Sequence, residues 1–370
     1  MAVLKVRFDN ILCFNDFEAD FSYPKKIVKT TLDSEYLLDY PNIRYKKVNI
    51  IIGTNASGKT SLGKAIWKTF IFMINKESKP FKDLVSDKNK EATILMDCVF
   101  KEGVFFRFEA VIKPDGDINA RYRKIDLLKT DTYESVVKRL KEDEPFDNYL
   151  KVLEEAVIGG WNFCFPTIET GFDFIFCKQD SEEHNQRFVN TLKKVLQTFD
   201  PAIETVFKSL EQDNTYIIRF FNGQTVAVKH GEKLSGLSYL SSGTKSAINV
   251  AGLMCAIENH DNGFYYVDEQ FSFVNSDIEI ACLNTMIDLL GDGEQLFFTS
   301  HNEELMSLPL PIHSFSFMKK SKNDNDEYHV EMINASSFEK RNNVSVKNLY
   351  DNDYFDIAPD TTSVFSIRNN

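Results

Sequence analysis

One stretch constrains this chain more than any other: Lys47 to Trp67, KVNIIIGTNASGKTSLGKAIW. An apolar run broken only by Asn49 leads straight into Gly53, and Gly53, Gly58, Lys59 and Thr60 satisfy the P-loop spacing of two glycines, Lys and Ser/Thr. Such a turn needs a buried strand that stops abruptly, a backbone that wraps around phosphate oxygens, and a helix whose positive end faces the same anion. Two glycines permit the tight turn. The phosphate cradle is expected to comprise Gly53, Thr54, Asn55, Ala56, Ser57, Gly58, Lys59, Thr60 and Ser61, with the amides from Asn55 to Thr60 pointing inward. Lys59 would reach the outer phosphates, and the Thr60 hydroxyl would bind magnesium. The stretch that follows places Leu62, Ala65, Ile66 and Phe70 at helical spacing. A P-loop alone specifies a nucleotide and nothing further.

At 370 residues the chain is long enough for one large domain or two, and 43% hydrophobic composition with 32 Phe supplies a buried core. That excludes a disordered or low-complexity protein. A formal net charge of -12 opposes a surface that attracts nucleic acid everywhere, although it leaves room for a local basic groove. Cys13, Cys98, Cys164, Cys177, Cys255 and Cys282 are scattered without a CxxC pair, which reads as reduced core thiols and not as a disulfide frame or zinc site. No segment approaches about 18 uninterrupted apolar residues, and the first residues lack a signal-peptide core. The expectation is a soluble cytoplasmic protein with no membrane partner.

Along the chain, Leu4 to Phe8 alternate as a strand and Ile11 to Phe21 reads as a second β element. Residues 76–90 are polar and carry Pro80, the pattern of a surface loop. Alternation resumes at Ala92, turns near Gly103 and again at Pro114 to Asp117, and so predicts an antiparallel meander through Ile125. Tyr133 to Val157 and Asn185 to Gln212 have helical spacing, with Asp200-Pro201 as a helix start. Asn222-Gly223 marks a hairpin between Tyr216 to Phe221 and Thr225 to His230. A Ser/Gly loop and a helix of small and apolar residues follow, then a strand, a helix from about Asp277 to Leu290, and a strand from Gln295 to Thr299. From Lys319 a charged loop and one more strand lead into a polar end with the composition of partial disorder.

The polar residues of this second half fall at strand ends, where an open α/β sheet forms its ligand crevice. Asp268 closes the apolar strand Phe264 to Val267 and fits a magnesium-holding acid. Glu269 beside it would orient and deprotonate an attacking water, and His301 would contact the γ-phosphate from the next strand end.

Gly53 to Thr60, LSSGTKS from Leu240, YYVDEQ from Tyr265 and FFTSHNEEL from Phe297 together resemble the ABC-type ATPase set. Their flavour is similar to the OLD-like and RecF/SMC-like branch, which includes ATPases of bacterial anti-phage defence systems. The resemblance implies an α/β fold: an ABC-type P-loop ATPase head with a mixed core sheet, an antiparallel β layer and a helical insertion. The chain is read as an N-terminal core half (1–129), a helical insertion or lid (130–212), a C-terminal core half (213–335) and a polar tail (336–370), and the resemblance covers the core and leaves the insertion and tail unmatched. It implies ATP and Mg2+, and a homo-oligomer whose unit is a dimeric ATP sandwich. There Ser241, Ser242 and Gly243 of one protomer would close over the nucleotide of another, with Lys245 adding charge. The signature reads SSGTK where transporters show SGGQ, and the loop after Glu269 lacks their usual pattern, although Asn275 stands where it would serve. Gln179 is the candidate for a Q-loop. Asp324 and Asp326 form a superficial DxD that reads as a solvated hairpin tip, so a nuclease or toxin output would belong to a separate effector. The implied function is an ATP-driven conformational switch controlling that effector. A low-turnover ATP-binding scaffold and a RecF/SMC-like DNA-binding ATPase are the alternatives.

Overall fold

The computed structural model describes residues 1–23, 31–75, 77–140, 147–148, 160–165, 181–229, 238–322, 328–339, 341, 344–357, 364–365 and 367. The chain begins with β1 (Ala2–Asp9) and β2 (Phe17–Asp20), then a ribbon of β3 (Tyr36–Leu37) and β4 (Tyr40–Arg44). β5 (Val48–Gly53) follows, with α1 (Lys59–Asn75) and the short α2 (Ser78–Lys82) after it. The meander is β6 (Ala92–Phe100), β7 (Val104–Ile112) and β8 (Ile118–Asp126), and it leads through α3 (Tyr133–Arg139) to β9 (Asp147–Asn148) and β10 (Trp161–Cys164). α4 (Glu182–Phe199) precedes a three-stranded sheet of β11 (Ile203–Lys208), β12 (Thr215–Phe220) and β13 (Thr225–Lys229). The second half runs α5 (Ser242–Glu258), β14 (Phe264–Asp268), α6 (Ser276–Leu289), β15 (Gln295–Ser300), β16 (Phe315–Lys322), β17 (Tyr328–Asn334) and α7 (Val346–Asp351).

The core sheet has the order β10-β14-β15-β5-β16-β17, parallel except where β17 turns back on β16. Both of its faces are covered, and this is why β14 and β15 are unbroken buried runs rather than alternating ones. On one face Leu62, Ile66 and Phe70 of α1 meet Ile51, Tyr266 and Phe297, with the antiparallel sheet β2-β1-β6-β7-β8-β9 closing over them through Phe8, Met96 and Phe108. On the other face Ile50, Ile52, Val267 and Phe298 pack with Leu192 of α4, Leu253 of α5 and Leu283 of α6. The α/β fold, mixed core sheet and antiparallel layer are those expected.

Several local expectations are corrected. Residues 76–90 are not all surface loop: Phe81 of α2 and Leu84 are buried, and Phe81 stacks on Phe72 at 4.0 Å. Two apolar side chains anchor an otherwise polar stretch. Asp200-Pro201 ends a helix instead of starting one, since α4 stops at Phe199 and Ile203–Lys208 is a strand. Asp-Pro suits either end, because Asp caps backbone donors and Pro cannot continue the ladder. Within 130–212 the helices α3 and α4 share the segment with β10, which joins the core sheet beside β14, and with β11. The helix expected over Tyr133 to Val157 is described only as Tyr133–Arg139, closed at its start by Thr132 and Ser135 in reciprocal caps. The polar end carries α7, and Phe355 is buried against Phe317 at 4.4 Å. Gln179, Asp324 and Asp326 lie outside the described residues. The described cysteines are all free, and no described helix is long and apolar enough to cross a membrane.

Candidate nucleotide site

β5 ends at Gly53 and α1 begins at Lys59, and the turn between them passes through Ala56 at φ 60° and Gly58 at φ 107°. Gly53 has no room for a side chain, since a Cβ there would lie 2.5 Å from the Met318 carbonyl oxygen of the neighbouring β16. Asn55 and Ala56 stand exposed at the tip, while Thr54, Thr60 and Ser61 are half-buried. The Ser57 hydroxyl is buried inside the turn without a hydrogen-bond partner among the described residues.

Lys59 is 3% exposed, and its ammonium donates to the carbonyls of Gly53 at 2.6 Å and Thr54 at 3.1 Å. Burial lowers its pKa, and the neighbouring Glu269 opposes that shift. The Lys59 carbonyl accepts from the Tyr266 hydroxyl at 2.8 Å, which fixes the start of α1 on the core sheet.

Strand order assembles the rest. β15 lies between β5 and β14, so its last residues sit between the P-loop and the end of the acidic strand. Asp268 is fully buried, and its carboxylate accepts from the hydroxyls of Thr60 and Thr299, each at 2.8 Å. Desolvation pushes its pKa up to about 6 against the pull of those two hydrogen bonds. Glu269 takes the left-handed conformation, φ 44°, and its amide reaches both the carbonyl and the hydroxyl of Thr299 at 3.2 Å. That turn sends its carboxylate back over the P-loop, 3.3 Å from Lys59 Nζ and 3.0 Å from His301 Nε2. The other ring nitrogen of His301 lies 3.0 Å from the Gly53 carbonyl oxygen and 3.4 Å from Lys59 Nζ. P-loop, Asp268, Glu269 and His301 therefore converge, as their positions at strand ends predict.

The residues of the expected signature loop do not join them. Ser241 caps α5 by accepting from the Thr244 amide at 3.0 Å, and Ser241 and Ser242 are exposed. Gly243 lies beside the loop after Glu269, where a Cβ would be 3.7 Å from the Phe273 carbonyl oxygen. Among the described residues no hydrogen bond or ion pair links Ser241, Ser242, Gly243 or Lys245 to the P-loop.

Sequence reasoning passed over Thr299, Gln270, Asn249 and Glu279. Gln270 is buried, donates to the Asp268 carbonyl at 3.0 Å, and accepts from Asn249 of α5 at 3.4 Å. Each of the four is a polar residue inside or beside an apolar run, and that was the available signal.

The oxygens of Thr60 and Asp268 fit a magnesium ion. They are hard donors 2.8 Å apart, and a buried carboxylate disfavoured as an ion gains from an adjacent cation. Among the described residues no cluster of three or more His, Cys, Asp or Glu could cage a metal, so the remaining ligands would be phosphate and water.

The fold is that of an ABC-type P-loop ATPase head. No protein-family model matches the chain, and no curated protein sequence matches it. Among solved structures it is similar to an SMC head bound to the C-terminal winged-helix domain of ScpA, at 14% identity and TM-score 0.54, over 91% of this chain and 99% of that one. It is also similar to an SMC head with an extended coiled coil bound to the C-terminal domain of ScpA, derived from Pyrococcus furiosus, at 10% identity and TM-score 0.52, over 91% and 98% of the two chains. The fold is thus that of the SMC heads.

Proposed function

We propose that this chain is an ATPase that works as a conformational switch, with two copies closing over ATP at composite sites. The observation that carries the reading is the position of Glu269, held between Lys59 and His301 beside the Thr60–Asp268 pair. Phosphoryl transfer needs positioned charge more than covalent chemistry, and these groups supply it. Lys59 and the amides of the P-loop hold the phosphates, while Thr60 and Asp268 hold the magnesium ion, which neutralises phosphate charge when bound. Glu269 takes the proton of the attacking water as its oxygen bonds to the γ-phosphorus and the bond to the leaving ADP oxygen breaks. His301 donates to the γ-phosphoryl oxygens.

Exposure of Ser241 and Ser242 away from the P-loop supports the contribution of a second copy, since a Ser/Gly loop at a helix N-terminus is itself suited to anions. The output is placed in a separate effector, a nuclease or toxin in an anti-phage setting. Support for that step is the resemblance of the motifs to OLD-like ATPases, and a neighbouring gene for such an effector is the expected finding. The similar SMC heads were solved bound to ScpA domains, which is consistent with a head that carries a partner protein.

The test is Glu269→Gln. It should retain ATP and lower multiple-turnover phosphate release by roughly 10²–10⁴-fold, the usual worth of a general base. Hydrolysis at the wild-type rate would remove Glu269 from the reaction. Tight ATP binding by the wild type without turnover would favour the scaffold reading.

A further inference from the structure

Glu279 lies one turn into α6, outside the P-loop, and is 4% exposed. Its two carboxylate oxygens accept from Ser300 Oγ at 2.6 Å and from Asn302 Nδ2 at 2.8 Å. The Asn302 amide donates in turn to Ser300 Oγ at 2.9 Å. Asn302 also caps the short 3₁₀ turn that follows, through Oδ1 and the Glu304 amide at 3.0 Å. These bonds grip the residue on each side of His301, and the imidazole between them is left reaching outward to Glu269 and Gly53.

A buried carboxylate is an expensive way to brace a turn. Neutral partners of similar shape would hold the backbone with a smaller desolvation penalty, and burial does raise the pKa of Glu279. Two acceptor oxygens in one plane do what an amide cannot, because they take donors from both flanks of His301 at once.

We propose that Glu279 is a positioning residue that sets the Ser300–His301–Asn302 turn, so that the imidazole stays seated on Glu269 and the Gly53 carbonyl. The proposal rests on the ATPase reading for its role in turnover, not for its geometry. It also ties that turn to α6, the helix capped by Asn275 just after the loop carrying Glu269. The two groups on the γ-phosphate side then share one support.

The test uses the full chain with Glu279→Ala and Glu279→Gln. Glu279→Ala should lower kcat at least tenfold while KM for ATP stays within twofold, because the cradle at 53–61 is untouched. Glu279→Gln keeps one acceptor and removes the buried charge, so it should recover part of kcat and melt no lower than wild type. Added to His301→Ala, Glu279→Ala should cause no further loss. An unchanged kcat in both variants, or a fall that only follows the loss of folded protein, would overturn the proposal. The ring resonances of His301, assigned with His301→Ala, separate this from failure of the ATPase reading. If the wild type does not hydrolyse ATP, the ATPase reading falls, and positioning still predicts that the His301 ring resonances shift in Glu279→Ala and return towards their wild-type positions in Glu279→Gln. His301 ring resonances indifferent to both substitutions sink it.

Discussion

Asp268 is ionised at neutral pH in a place that disfavours the ion. Its pKa is pushed up to about 6 from an ordinary 3.8, so the folded state holds the proton more tightly than the unfolded chain. For a raised pKa the contribution to stability is fully present below the unfolded value and is lost as pH climbs through the folded one, here between about 4 and 6. The cost at pH 8 is about 3 kcal/mol by the conversion of 1.36 kcal/mol for each pKa unit. Asp268→Asn should therefore be more stable than wild type to urea at pH 8, by about 1–3 kcal/mol, and lose that advantage near pH 4, while magnesium-dependent hydrolysis disappears. A gain that persists at pH 4 would point to packing instead of charge. Gly63 sets a second residue-scale limit. A Cβ there would lie 2.5 Å from the Tyr266 ring, which cannot retreat while its hydroxyl is bonded to the Lys59 carbonyl. Gly63→Ala should cost about 1–3 kcal/mol by overpacking, read as a lower urea midpoint with an unchanged slope.

At the scale of elements, the parallel strands were the legible part. β5, β14 and β15 are covered on both faces and so read as apolar runs, and the residues that terminate them announce the ligand edge. β10 was not legible, because four residues, Trp161 to Cys164, are too few to show a period, and its place is set by pairing with β14 a hundred residues downstream. The candidate site divides the same way. Gly53 to Thr60 encode their own shape locally, while Thr299, Gln270, Asn249 and Glu279 acquire meaning only through partners from other elements. The end of the chain misled for a compositional reason, since a few apolar residues among many polar ones were outvoted. Phe355, 2% exposed, is one of them, and Phe355→Ala should cost about 3–5 kcal/mol, the usual range for emptying a buried phenyl site. A cost below about 1 kcal/mol would mean that α7 and its neighbours do not dock in solution.

For the whole molecule, a shared site predicts complementation. Lys59→Ala removes the cradle from one copy and Ser242→Arg blocks the expected signature of another, so neither alone should turn over ATP. Mixed one to one, random pairing puts one intact composite site in half of the dimers, and about a quarter of wild-type activity should return. No recovery, with mixed dimers shown by mass measurement, would place the whole site within one copy. The sheet carries a different consequence for synthesis. Among the described residues β5 bonds to β15 and β16 and to no earlier strand, with Val48 facing Leu296 and Ile50 facing Phe315. At roughly 5–20 residues per second, a ribosome needs on the order of 10–50 s to supply those partners after β5 has emerged. Throughout that interval an apolar strand waits with both edges open, the exposed-edge state that invites aggregation. A fragment ending at residue 290 should bind no ATP in a filter assay despite containing every residue from Gly53 to Ser61. It would carry the P-loop as a sequence only.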